Sequence, residues 1–62
     1  MKRNKLIKHL LDNECIFRRE GAGHTIFMNI KTGKRTAVPR HTEIRDIVCN
    51  DICKQLGIEK IK

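Results

Sequence analysis

The stretch CIFRREGAGHTIFMNIKTGKRTAVP, residues 15–39, decides the fold. It holds three short runs rich in β-branched and aromatic residues, separated by two sets of turn residues. Residues 15–20 (CIFRRE) read as a first strand, and Gly21 and Gly23 bracket a tight connection after it. Residues 24–30 (HTIFMNI) read as a second strand. In it Ile26, Met28 and Ile30 alternate with Thr25, Phe27 and Asn29, so both faces carry apolar mass. Lys31-Thr32-Gly33-Lys34 supplies a hairpin turn in which Gly33 can take a positive φ. Residues 35–38 (RTAV) form a short third strand, ended by Pro39, which has no N–H to give a ladder.

A helix is expected on either side. Leu6, Ile7, Leu10 and Leu11 fall on one helical stripe, which predicts a helix over 3–13 with Asn13 as its stop. Lys2, Arg3, Lys5 and Lys8 lie largely off that stripe. Ile44, Ile47, Val48, Ile52, Cys53 and Leu56 predict a second helix over 43–56. Thr42 is its expected N-cap, Glu43 and Asp46 suit the first turn, and Gly57 suits the C-cap. The expected fold is α+β: an α-β-β-β-α unit, a three-stranded antiparallel sheet with both helices on one face. The other sheet face stays open. It is expected to carry polar and basic strand residues, which places the ligand surface there or along its edge.

A chain of 62 residues is read as a single domain (1–62), which buries only about 60% of its unfolded surface. Only two Phe, and no Trp or Tyr, exclude an aromatic base-stacking platform. The longest apolar runs are three residues, as in Cys15-Ile16-Phe17, against about 20 for a membrane span. MKRNKLIKHLL has a basic start but no apolar stretch of signal-peptide type, so a cytoplasmic location without membrane contact is expected.

Charge is unevenly distributed. The net charge is +7; residues 1–40 hold ten basic and three acidic residues, and residues 41–62 hold four of each. The excess in the first two thirds suggests an anionic partner, with nucleic acid the leading class. A merely solubilising surface is the competing reading. Three cysteines, Cys15, Cys49 and Cys53, do not make a disulfide framework and fit a reducing compartment. Cys49 and Cys53 are four apart, share a helix face and could hold a metal with His41, but no CxxC and no obvious fourth ligand accompany them, so they read as small buried apolar residues rather than a zinc site.

His9 reads as a structural helix residue. His41, between Arg40 and Thr42, reads either as a loop residue or as a phosphate ligand with Arg40 and a helix N-terminus. His24 is more telling. It follows Gly21-Ala22-Gly23, opens the middle strand and neighbours the strand bearing Arg18 and Arg19. Imidazole beside guanidinium suits RNA transesterification. The ring moves a proton at the 2′-hydroxyl or the leaving oxygen, and arginine offsets charge growing on phosphorus. A histidine that merely starts a strand is the bland alternative. No Ser/His/Asp set, HExxH, P-loop or GxGxxG is present, and the scattered acids form no two-metal cluster. A nuclease built on this chain is therefore expected to need no metal and no cofactor.

REGAGHTIFMN (19–29), TGKRTAVPRHTEI (32–44) and a helix ending ICKQLGI (52–58) together resemble the HicA family of toxin–antitoxin mRNA interferases. The likeness runs from LIKHLLDNE (6–14) to Gly57. It implies a double-stranded-RNA-binding-domain-like fold, ribosome-independent mRNA cleavage, and neutralisation by a HicB-like antitoxin that masks the active face. It also implies that His24 is catalytic, as the histidine of the family's Gly-Ser-His motif. This chain departs from that motif, with Gly23 where the family has serine.

The expected mechanism has a basic face drawing mRNA electrostatically. Its RNA-binding residues are Lys5, Lys8, Arg18, Arg19, Lys34, Arg35, Arg40 and His41, with Lys2 and Arg3 adding charge. His24 acts on the ribose–phosphate unit, Arg19 or Arg40 offsets phosphate charge, and His41 is the candidate second acid–base group. A non-catalytic RNA-binding module of the same shape is the alternative. Against it, the last helix begins TEIRDI rather than with lysines. A protein that only docks an acidic partner is a third reading.

Overall fold

The computed structural model describes residues 1–61. Its elements are α1 (Arg3–Asp12), β1 (Cys15–Gly21), β2 (His24–Asn29), β3 (Arg35–Pro39) and α2 (Asp46–Leu56), in the expected α-β-β-β-α order. The sheet is antiparallel with order β1-β2-β3. Both helices cover one of its faces, over a core of Leu6, Leu10, Cys15, Phe27, Val38, Ile44, Cys49, Ile52, Cys53 and Leu56.

Local chemistry accounts for most boundaries. Asn13 closes α1: its N–H bonds the His9 and Leu10 carbonyls, and its side-chain amide bonds the His9 carbonyl at 2.8 Å. Gly57 ends α2 at φ +72°, and the pair Gly57 N–H to Lys54 O and Ile58 N–H to Cys53 O closes the last turn. His9 reaches the Glu59 carbonyl at 2.7 Å, tying α1 to the segment after α2, a structural role as expected.

The start of α2 differs from expectation. It begins at Asp46 with Arg45 as N-cap, not at residue 43 with Thr42 as cap. Residues 42–44 are instead held against the chain start. Arg3 N–H bonds Thr42 O, Ile44 N–H bonds Met1 O, and Lys2 bridges Glu43. Ion pairs of Glu43 with the Met1 ammonium (3.4 Å) and with Lys2 (3.5 Å) reinforce the pairing. Ile44 is still buried, but as part of an extended segment, and Ile47 is left 61% exposed because the shorter helix turns Cys49, Ile52, Cys53 and Leu56 inward.

The two sheet faces also differ from the expected assignment. The helix-covered face of β2 carries Thr25, Phe27 and Asn29, and that of β3 carries Thr36 and Val38, all buried. The buried polar groups are all bonded. Asn29 Nδ2 donates to the Leu56 carbonyl at 2.8 Å, satisfying an orphan carbonyl at the end of α2, and Thr36 Oγ1 donates to Gln55 Oε1 at 2.6 Å. The open face is correspondingly apolar at its centre, where Ile16, Ile26, Met28 and Ala37 lie, and not the polar surface expected.

These face assignments make an asymmetric prediction. Phe27→Ala, at a site 4% exposed, should cost about 3–5 kcal/mol, most of a small domain's stability. Ile16→Ala, on the open face, should cost under about 1 kcal/mol. Urea midpoints of the two variants check both values.

Candidate active site on the open sheet face

Directly paired residues of antiparallel strands share a face. The register therefore builds the open face in three rows: Ile16, Met28 and Arg35; Arg19, Ile26 and Ala37; Gly21, His24 and Pro39. A β-bulge between Phe17 and Arg19 sets the middle row. Without the extra residue at 18, Arg18 would oppose Ile26 and Arg19 would face the helices. With it, Arg19 sits diagonally across from His24, at about 7–8 Å between such positions, within reach of a long side chain. Arg35, on β3, pairs with Met28, which lies four residues along β2 from His24, about 13 Å in the strand direction on the same face.

His24 is exposed and stands at the end of β2, opposite Gly21 on one side and Pro39 on the other. Ala22 and Gly23 make a two-residue turn, in which Gly23 has φ +74°. His24 Nδ1 lies 3.0 Å from the Ala22 carbonyl. A carbonyl only accepts, so Nδ1 carries the proton and donates it. In the neutral ring that leaves the Nε2 lone pair as the free proton acceptor.

The expected RNA-binding residues do not form one surface. Arg19 and Arg35 share the open face with His24, and Arg18 sits in the bulge on the edge strand. None of these three makes an ion pair among the described residues. Lys5 and Lys8 are exposed on α1, in the layer across the sheet, and Lys8 pairs with Asp12 at 3.1 Å. Lys34 lies at the opposite end of the sheet, its side chain over Gly57 at the C-terminus of α2, where the helix dipole favours a cation. Arg40 is turned inward on the turn: its guanidinium pairs with Glu20 and donates to the Gly21 carbonyl at 3.0 Å and the His24 carbonyl at 3.4 Å. His41 is exposed, two residues beyond Pro39 and well before α2, so a phosphate site shared with a helix N-terminus does not form there. Arg3 is likewise occupied, with Nε on the Pro39 carbonyl (2.9 Å) and Nη2 on Thr25 Oγ1 (3.1 Å).

The cysteines are buried, as expected, and burial pushes the Cys15, Cys49 and Cys53 thiols up, keeping them protonated and unreactive. No group of three His, Cys, Asp or Glu side chains converges as a metal site among the described residues. A depression of about 560 Å³ lies between α2 and residues 58–60, on the helical layer and not beside His24. No helix is long and apolar enough to cross a membrane among the described residues.

The family described as HicA toxin of bacterial toxin–antitoxin systems matches residues 3–58. The chain belongs to the HicA toxin family. It is thus a toxin of a toxin–antitoxin system, and such a toxin has an antitoxin partner. No curated protein and no solved structure matches the chain.

Gly23 is where sequence and geometry meet. A Cβ there would touch nothing within 4 Å, so space does not require glycine, but the φ of +74° favours it. Gly23→Ser should therefore cost about 1–2 kcal/mol through the backbone alone. An unchanged denaturation midpoint in that variant would contradict the turn geometry.

Proposed function

We propose that this toxin is a ribosome-independent mRNA endoribonuclease and that His24 is its catalytic acid–base group. The observation that carries the reading is the imidazole itself: exposed, fixed by its Nδ1–H on the Ala22 carbonyl, and diagonal to an unpaired arginine, Arg19. Nε2 is then the atom that takes the 2′-hydroxyl proton as the oxygen attacks phosphorus, or returns a proton to the leaving oxygen. Help of that kind contributes about 10²–10⁴-fold. Arg19 offsets the charge that develops on the phosphoryl oxygens, and Arg35 and Arg18 hold the strand further along. Arg40 Nη2 is already held by Glu20 and the turn carbonyls, whereas Arg19 makes no ion pair among the described residues, so we give Arg19 the phosphate role.

A second ionisable group is required if one residue removes a proton while another supplies one. His41, on the segment that follows Pro39, is the candidate at that end of the sheet. The chemistry needs the 2′-hydroxyl, so DNA is not a substrate, and the proposed route needs no metal. The same face, apolar at Ile16, Ile26, Met28 and Ala37 and rimmed by Arg19, Arg35 and His24, is where we place a HicB-like antitoxin. One occupant then excludes the other.

Cleavage of a long single-stranded mRNA, with chelator and without ribosomes, tests the proposal. The wild type should cut, and folded His24→Ala should lose about 10²–10⁴-fold in rate while still binding RNA. His41→Ala should lose less. Salt-dependent RNA binding without cleavage by the wild type would instead favour a non-catalytic RNA-binding module.

A further inference from the structure

The turn that carries His24 has almost nothing of its own to hold it. Ala22, Gly23 and His24 are all exposed, and the two glycines at 21 and 23 give the backbone more freedom to lose than any other residues would. Yet a continuous line of polar contacts ends on this turn. Arg3 Nη2 donates to Thr25 Oγ1 (3.1 Å), Thr25 Oγ1 donates to Glu20 Oε1 (2.9 Å), and Glu20 Oε2 pairs with Arg40. Arg40 Nη2 then reaches the carbonyls of Gly21 and His24, the two residues that close the hairpin. Arg3 Nε, on the Pro39 carbonyl at 2.9 Å, ties the same line to the end of β3.

The line starts inside the fold and ends outside it. Thr25 is 5% exposed, so its hydroxyl is a fixed anchor, bonded on both sides. Glu20 is the junction: one carboxylate oxygen faces the anchor and the other faces the clamp. Among the described residues, Arg40 is the only side chain that bonds both residues at the base of the turn. All of these contacts converge on one guanidinium nitrogen, Nη2, which is held by two protein carbonyls and a carboxylate.

We infer that Arg40, oriented by Glu20, is a positioning residue that fixes the Gly21–His24 turn and thereby the direction of the His24 imidazole. The inference rests on reading His24 as the catalytic group. Arg40 acts through the backbone of that group and does not touch substrate.

The test uses the full chain and three folded variants, Arg40→Ala, Arg40→Lys and Glu20→Gln, the last keeping an acceptor for Thr25. Far-UV circular dichroism confirms folding. Nitrogen-15 NMR of the His24 ring then reads its tautomer, and amide exchange reads residues 21–24. In Arg40→Ala and Glu20→Gln the Nδ1–H form should give way to the mixture of a free histidine. Exchange should quicken about tenfold, as loss of one net hydrogen bond implies. Arg40→Lys should recover part of both, since an ammonium can still donate to a carbonyl and a carboxylate. This arm does not depend on cleavage, so it stands even if the wild type cuts no RNA.

Where RNA is cut, kcat of Arg40→Ala should fall by up to about 10²-fold with KM little changed. An unaltered ring tautomer and unaltered exchange in folded Arg40→Ala would overturn the inference. So would a loss confined to RNA affinity with a salt slope smaller by about one, which would make Arg40 a phosphate contact.

Discussion

Burial of Phe27 under the two helices is the constraint on which the arrangement depends. Side chains alternate along a strand, so placing Phe27 in the core also turns Thr25 and Asn29 inward and sends His24, Ile26 and Met28 outward. A register shift of one residue would bury His24 and expose Phe27. Everything on the open face follows from this parity: the apolar centre, the two arginines on its margin, and an imidazole at one end. The buried threonines and asparagine are the consequence on the other side. They are tolerated because the helices supply partners, Leu56 O and Gln55 for α2 and Arg3 for α1.

How far the sequence reveals this depends on the range of the forces involved. The strands, the two turns and the C-terminal stops rest on local chemistry, and they are legible residue by residue. Asn13, Gly33 and Gly57 mark their turns and ends because their backbone needs are local. The start of α2 is not legible, because helical periodicity counts Ile44 as an apolar helix position. Its burial comes from pairing of residues 42–44 with residues 1–3, a contact between segments 41 residues apart in the Lys2–Glu43 bridge. Nor does the sequence distinguish the faces of β2. Its alternation offers Ile26 and Met28 for the core as readily as Phe27, and only the polar partners on the helices decide.

The site divides in the same way. His24 stands out in the sequence because a glycine turn precedes it. The share of the arginines does not, since five of them (Arg3, Arg18, Arg19, Arg35 and Arg40) look alike on paper. The bulge at residue 18 selects Arg19 for the open face, and Glu20 selects Arg40 for the turn. A mid-sheet bulge has no signature in CIFRRE, and an ion pair between residues 20 and 40 exists only once β1 and β3 flank β2. Net charge overstates the charge of the open face for the same reason: Lys5, Lys8 and Lys34 add to the total but lie elsewhere on the molecule.

We propose that the open sheet face, and not the basic surface of α1, is where this toxin meets RNA. Amide chemical-shift mapping with an RNA whose 2′-hydroxyls are methylated, and so cannot be cut, tests it most directly. Binding at the open face should shift Ile16, Arg19, His24, Ile26, Met28 and Arg35 and leave α1 unaffected. Shifts centred on Lys5 and Lys8, with the open face silent, would contradict it.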